Sequence, residues 1–340
     1  MLTIKNSYYY NITFDKFLNA YYKSIKGKGN KKEILEFYLN LETNLINLME
    51  DVRNFKYKTS EYREFVIYEP KKRIIRSLPF KDRVVQTWYV ENFIKVYFVP
   101  RFIFDSYACI NEKGTHKAVR RLQSFMRRMR KKYGSYYVVK FDIKHFFESI
   151  DKDILFEIIK KFITDDALLR FTYELINSDI RPGLPIGNYT SQYYANIYLN
   201  ELDHYIKDAL KVRYYLRYMD DFVILTKNKV EARHIYNLID IFVRDKLNLE
   251  LNKKSCYYPS RLGIDFCGYK VFEDYILIRK RCKNKIKRKI KIWNNFYRLG
   301  ILNEKNFVLS FNSFLGHMSH ANTYNFKCKI ISEISCLNQK

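Results

Sequence analysis

Glycine and proline are scarce in this chain, 10 and 6 among 340 residues. Long flexible linkers are thereby excluded, so any subdomains must pack closely. No run of about 18 uncharged apolar residues occurs, which argues against a membrane-spanning helix. The first residues, MLTIKNSYYYNITFDKF, lack the apolar stretch and cleavage site of a signal peptide. The six cysteines (Cys109, Cys256, Cys267, Cys282, Cys328 and Cys336) show no C-x-x-C spacing. Neither a zinc site nor a disulfide framework is indicated, and reduced thiols in a cytoplasm are the expectation. Acidic residues are in deficit: 36 Asp and Glu stand against 62 Lys and Arg, a net charge of +26. At 47% hydrophobic residues the chain is no disordered basic tail. A folded protein this basic meets nucleic acid or an anionic membrane, and the missing apolar run favours nucleic acid. The length allows a large core and two or three subdomains, with no repeat or low-complexity block between them.

Against this background one acidic pair stands out. The run VRYYLRYMDDFVILTK holds two β-prone stretches, 212–219 and 222–226, broken only by Asp220 and Asp221. Two carboxylates at the tip of an apolar hairpin repel each other, and a divalent cation such as Mg²⁺ removes the conflict. Asp is also an ordinary turn residue, so the pair alone decides little. A further acid adds weight: the β-prone run Tyr136–Phe141 ends in Asp142, followed by Ile143-Lys-His-Phe-Phe147. A strand-end Asp with a hairpin-tip Asp pair is the set that two-metal phosphoryl transfer needs. One ion activates a 3′-hydroxyl, and the other neutralises a leaving pyrophosphate.

Elsewhere the pattern is helical or hairpin-like. Apolar periodicity covers much of residues 1–60, as in Ile34, Leu35, Tyr38, Leu41, Leu45 and Leu48. Strands are expected at 63–68 and 73–78 around a 69–72 turn, then a helix from about Asp82 to Val96. Val119, Leu122, Phe125, Met126 and Met129 form one helical face, opposite Arg120, Arg121, Arg127, Arg128 and Arg130, a face either solvated or against phosphate. A helix is expected from Tyr193 to about Leu210, with Ser191 and Gln192 at its start. RKRCKNKIKRKIK, residues 279–291, has nine basic residues in thirteen. Cys282, Ile286, Ile290 and Trp293 recur at helical spacing, so one side packs. The other presents a cationic strip, Arg279, Lys280, Arg281, Lys285, Arg288 and Lys289, suited to a polyanion.

FDIKHFF and YMDD in this order resemble the first palm motif and the metal hairpin of a reverse transcriptase. LPIGNYTSQYYANIYLNELD, SYACINEKGTHKAV, GIDFCGYKV and FLGHMSHANTYN together are similar to the reverse transcriptases of diversity-generating retroelements, over about residues 60–326. That resemblance implies an α+β right-hand polymerase fold. Fingers would occupy 1–135 with an insertion at 151–182, an antiparallel-sheet palm 136–150 and 183–275, and a basic helical thumb 276–340. It implies catalysis by Asp142, Asp220 and Asp221, with two Mg²⁺ ions (Mn²⁺ able to substitute) held by these and by the Ile143 carbonyl. Lys71 and Arg73 would meet the incoming triphosphate, where a guanidinium fork suits two oxygens. Phe147 falls at the steric gate against the 2′-hydroxyl, its spacing favouring it over Phe146. Ile186, Gly187, Ser191 and Gln192 would line the nucleotide, with Ile186 where most of the family has Gln. Lys253 and Lys254 are equally eligible for the position near the pyrophosphate. Phe266, Cys267, Gly268 and Tyr269 resemble the primer grip. His317 and His320 lack further ligands and read as structural thumb residues.

The implied partners are a structured template-repeat RNA, primer or cDNA, dNTPs and a small basic oligomeric accessory protein, with no membrane. The setting would be a bacterial cytoplasm, the gene bacterial or phage-encoded, and the product adenine-mutagenic cDNA. No segment resembles an RNase H or endonuclease domain. A retron or phage-defence reverse transcriptase is the nearest alternative. A non-catalytic, maturase-like RNA-binding protein is a further one, which the three intact aspartates oppose.

Overall fold

Runs rich in Val, Ile, Phe and Tyr build antiparallel sheets here, and helices with one apolar stripe build the rest. The structure, a computed structural model, describes residues 3–28, 31–68 and 72–335. In chain order come α1 (Phe14–Ile25), α2 (Lys32–Leu39), α3 (Leu41–Arg53), β1 (Arg63–Ile67), β2 (Arg73–Ser77) and α4 (Phe80–Tyr89). Next are α5 (Thr115–Tyr133), β3 (Tyr137–Phe141), α6 (Phe146–Ser149), α7 (Lys152–Lys160), α8 (Asp166–Ile176) and α9 (Tyr189–His204). β4 (Tyr215–Tyr218), β5 (Asp221–Thr226), α10 (Lys229–Leu247), β6 (Cys256–Pro259), β7 (Ile264–Phe266), β8 (Tyr269–Val271) and β9 (Ile276–Ile278) follow. Helices α11 (Lys280–Arg298), α12 (Glu304–Met318) and α13 (Tyr324–Ser332) close the described chain. The class is α+β.

These elements form two compact units. The first holds residues 1–110, 142–213 and 237–254. Its core is aromatic: Phe17 stacks on Trp88 with ring centres 4.9 Å apart, and Phe171 meets the same indole edge-on at 5.7 Å. The buried Trp88 N–H is satisfied by the Asn11 carbonyl at 2.7 Å, as a buried indole requires. The hairpin β1–β2 belongs to this unit, in the register Arg63 to Ser77 and Ile67 to Arg73. α4 runs on through wider π-type turns to Phe98, so the helix expected from Asp82 is present and slightly longer.

The second unit holds residues 111–141, 214–236 and 255–340. Its main sheet has the order β4-β5-β3-β6, all neighbours antiparallel. Val138, Val139 and Phe141 of β3 are buried, so both faces of the strand are covered, and apart from Lys140 it reads as apolar rather than alternating. Phe141 pairs with Phe222 and stacks on it, ring centres 4.7 Å apart. A smaller sheet, β7-β8-β9, stands in the same unit. α5 lays Val119, Leu122, Phe125, Met126 and Met129 inward, as their spacing predicts.

Candidate active site

The acidic hairpin takes the form that its residues prescribe, shifted by one position. Tyr218 pairs with Asp221, so the two-residue loop is Met219-Asp220, and Asp221 is the first residue of β5 rather than part of the tip. A two-residue hairpin loop needs a positive φ at its first position, where the primed turns match the strand twist. Met219 supplies it at φ +54°, although an unbranched, non-glycine residue is strained there. Arg217 compensates: fully buried in β4, it donates from Nη1 to the Met219 carbonyl at 3.1 Å. Beside the loop, Lys140 of β3 sets its Nζ 3.3 Å from Asp221 Oδ1. The same ammonium bonds the Asp265 carbonyl, tying the two sheets of this unit together. Asp220 and Asp221 are both half-buried, open enough to take a ligand.

In the first unit, residues 142–144 pair with 250–252. Asn252 N–H donates to the Asp142 carbonyl at 2.7 Å, and Lys144 N–H to the Glu250 carbonyl at 2.9 Å. Ile143 faces Leu251 between these bonds. It is therefore in a non-hydrogen-bonded position, with its own carbonyl on the opposite edge. The same pairing brings the exposed Lys253 and Lys254 within a few residues of Asp142 along the partner segment. Phe146 is core, while Phe147 is half-buried. The loop 183–187 rests on the Phe147 backbone: Leu184 N–H donates to the Phe147 carbonyl at 2.7 Å. Gly183, at φ +73°, has no room for a side chain, because a Cβ would lie 2.4 Å from that same oxygen.

The loop's other end is held by the β1–β2 hairpin. Arg76 N–H donates to the Ile186 carbonyl at 2.8 Å, and a Cβ on Gly187 would lie 2.4 Å from the Arg76 carbonyl. The Arg76 guanidinium meanwhile bonds Asp179 Oδ2 at 2.7 Å. Phe147, Ile186 and Gly187 are thus joined to β2, the strand that Arg73 opens and leaves exposed. Lys71 lies outside the described residues. Ser191 and Gln192 do not start the α9 helix, which begins two residues earlier. Asn188 takes the cap position in extended conformation (φ −77°, ψ 143°), the backbone a cap demands. Ser191 is buried, its hydroxyl without a hydrogen-bond partner among the described residues. Gln192 is exposed and accepts from the Cys109 thiol at 3.3 Å.

The family model for reverse transcriptase (RNA-dependent DNA polymerase) matches residues 58–271. The chain belongs to the reverse transcriptase family. A structure of telomerase from Candida albicans in complex with a TWJ fragment of telomeric RNA aligns with TM-score 0.51 and 11% identity. That alignment covers 84% of this chain and 60% of the telomerase, and it shows the polymerase fold. Two structures of telomerase from Candida tropicalis give TM-scores of 0.46 at 13% identity, covering 69% and 89% of this chain and 58% and 62% of those. This chain therefore spans about three fifths of the length of those telomerases. No curated protein matches it in sequence.

For a member of the reverse transcriptase family the remaining expected residues divide clearly. Phe266 and Tyr269 are buried and paired, and Cys267 (φ +46°) with Gly268 (φ +90°) forms a two-residue primed turn. On α11, Lys280, Arg281, Lys285 and Arg288 are exposed, opposite the buried Ile286, Ile290 and Trp293. Arg279 and Lys289 also make contacts within the fold. Arg279 faces Asp265 at 3.4 Å, and Lys289 donates to Ser310 at 2.7 Å. The α5 basic face is likewise partly structural: Arg127 donates to the Glu273 carbonyl and Arg130 pairs with Asp274, both at 2.7 Å.

Lys140 and Arg217 were not singled out by sequence reasoning. The one available trace was a single cation within each strand, Lys140 in β3 and Arg217 in β4. Among the described residues, no three His, Cys, Asp or Glu side chains stand together as a preformed metal cluster. Mg²⁺ at phosphoryl-transfer sites is commonly held by one or two carboxylates together with substrate phosphates and water. The hard carboxylate oxygens of Asp220 and Asp221 fit that ion. No described helix is long and apolar enough to cross a membrane.

Proposed function

We propose that this protein is an RNA-directed DNA polymerase that copies a structured template RNA from a nucleic-acid primer, using dNTPs. The observation that carries the reading is the turn Met219-Asp220 with Asp221 opening β5, inside a chain segment that matches the reverse transcriptase family. Asp142 follows directly on Phe141, and Asp221 directly precedes Phe222, the residues that pair at the end of the β3–β5 ladder. Asp142, Asp220 and Asp221, with the Ile143 carbonyl, would hold two Mg²⁺ ions, Mn²⁺ substituting. Bound there, the ions would supply charge neutralisation at the reacting phosphate. Arg73 and Lys71 would meet the triphosphate, Phe147 the sugar, Ile186, Gly187, Ser191 and Gln192 the nucleotide, and Lys253 or Lys254 the pyrophosphate. Residues 1–135 and 151–182 are assigned to fingers, 136–150 and 183–275 to palm, and 276–340 to thumb.

The finer reading is diversity generation: adenine-directed errors, a template-repeat RNA, a basic oligomeric accessory protein and a bacterial cytoplasm. It is supported by the sequence runs at 106–119, 184–203, 263–271 and 314–325, and by Ile186 where a polar side chain is usual. Sequencing cDNA made on an adenine-rich RNA tests both levels. Errors concentrated opposite adenine are expected. Evenly spread errors would sink the diversity-generating role, and absence of cDNA in Mg²⁺ and in Mn²⁺ would sink the polymerase. Asp142→Asn and Asp220→Asn are each expected to lower incorporation by orders of magnitude while RNA binding stays within a few-fold.

A further inference from the structure

The second unit holds a histidine cluster that polymerase chemistry does not use. Tyr269 of β8 places its hydroxyl 2.9 Å from the His317 carbonyl, 2.9 Å from His317 Nδ1 and 3.1 Å from His116 Nε2. A carbonyl only accepts, so the single hydroxyl proton goes to it. Both ring nitrogens must then donate to the hydroxyl oxygen, which fixes their tautomers. His317 Nε2 is left as a bare lone pair. Among the described residues that atom is buried with no hydrogen-bond partner, and so is His320 Nδ1. His320 stacks on His116 with ring centres 3.5 Å apart. The His317 ring also closes over the Cys267-Gly268 turn: a Cβ on Gly268 would lie 3.3 Å from its Cε1 and 3.9 Å from its Nε2.

We propose that His317 is a positioning residue: in its neutral form it locks the Cys267-Gly268 turn to α12, and protonation releases that lock. The proposal rests on reading the β7–β8 turn as the primer grip. A second proton on His317 could only go to Nε2, where it would be an N–H without an acceptor beside a glycine backbone. The groups facing the ring add no compensating anion. They are Tyr269 on the hairpin, His116 on α5 with Arg120 beside it, Cys282, Lys285 and Lys289 on α11, and His320 beyond α12. Cys282, Lys285, Lys289 and His317 line one cavity of about 260 Å³. Consistent with this, burial, then the neighbouring His116 and His320, hold the His317 pKa below its ordinary value. The sign follows: the locked state is fully favoured above the ordinary histidine value and is lost as pH falls through the lowered value of the locked ring.

Acidification should therefore weaken primer binding, the opposite of what added positive charge does to polyanion affinity by itself. The experiment measures the affinity of a fluorescent RNA–DNA primer–template duplex at about pH 7.5 and about pH 5.5, either side of the ordinary histidine value near 6.5. The wild type should weaken several-fold. His317→Asn keeps a donor near the Nδ1 position but cannot titrate, and its affinity ratio should be flat. Equal ratios in the two proteins, or tighter wild-type binding in acid, overturn the lock. Because the variant can lose its fold, the His317 ring proton is also followed by NMR in the wild type. A midpoint at or above the ordinary value overturns the proposal independently. DNA synthesis is scored in the same samples: its absence at every pH overturns the polymerase reading, whereas a shared acid limb overturns the lock alone.

Discussion

The Arg217 guanidinium, buried in β4, donates to the Met219 carbonyl at 3.1 Å, so a cation two residues away holds the strained turn that carries Asp220. A hydrogen bond to a charged group contributes about 1.5–3 kcal/mol. Arg217→Met keeps most of the length and removes the donor. It should lower unfolding free energy by about that amount and DNA synthesis by at least tenfold, since about 1.4 kcal/mol lost at the reacting geometry is tenfold in rate. Urea denaturation and single-nucleotide incorporation measure the two effects. Full activity in a destabilised variant would confine Arg217 to folding.

Phe147 is half-buried while its neighbour Phe146 is core. Phe147→Ala should therefore raise the rNTP-to-dNTP efficiency ratio on one RNA template with little change in thermal stability. Phe146→Ala should instead cost about 3–5 kcal/mol, the usual cost of emptying a core aromatic site. A changed sugar ratio in the Phe146 variant and not the Phe147 variant would reassign the gate.

Ile186 has its backbone fixed by Arg76 and its side chain half-buried. An aliphatic group offers no polar contact to a misaligned base pair, and one missing hydrogen bond of about 1 kcal/mol is enough to alter discrimination several-fold. Ile186→Gln should lower misincorporation opposite template adenine. Identical error spectra in wild type and variant would leave Ile186 a packing residue.

Acid stability depends on Asp179. Burial alone would raise its carboxyl, but the Arg181 amide and the Arg76 and Arg181 guanidinium groups outweigh burial and hold its pKa below the ordinary value. A depressed carboxyl stabilises the fold above its unfolded value of about 3.9, and that contribution is lost as pH falls through the folded value. Asp179→Asn should therefore destabilise at neutral pH, with the gap to wild type closing below about pH 4. Urea midpoints across pH would show it; a constant gap would mean that the ion pairs add nothing.

Strands β1 to β5 were legible because their runs are short, β-branched and aromatic, whereas β6 and β9 were not read from the sequence; YMDD announced its hairpin through two acids where only a turn could stand. The loop's exact place was less legible. Whether Asp221 is tip or strand depends on the Tyr218 pairing, and a single sequence does not state register. Arg217 and Lys140 were hidden for a related reason. A lone cation in a strand reads as an outward side chain, and only the tertiary packing buries one and points the other at Asp221. The His116, Tyr269 and His317 set is spread over two hundred positions of sequence and had no local signature at all. Nor did the sequence show that Arg127, Arg130, Arg279 and Lys289 of the basic faces also bond within the fold, to a carbonyl, carboxylates and a serine.

Between the Arg76 carbonyl and Gly187 there is no space for even one methyl group. The β1–β2 hairpin and the 183–187 loop consequently share a joint without play: a tilt of the strand is transmitted to Ile186 undamped. If Ile186 meets the incoming base pair as proposed, a pull on the hairpin at Arg73 would reach that residue directly, through the Arg76 N–H bond to the Ile186 carbonyl.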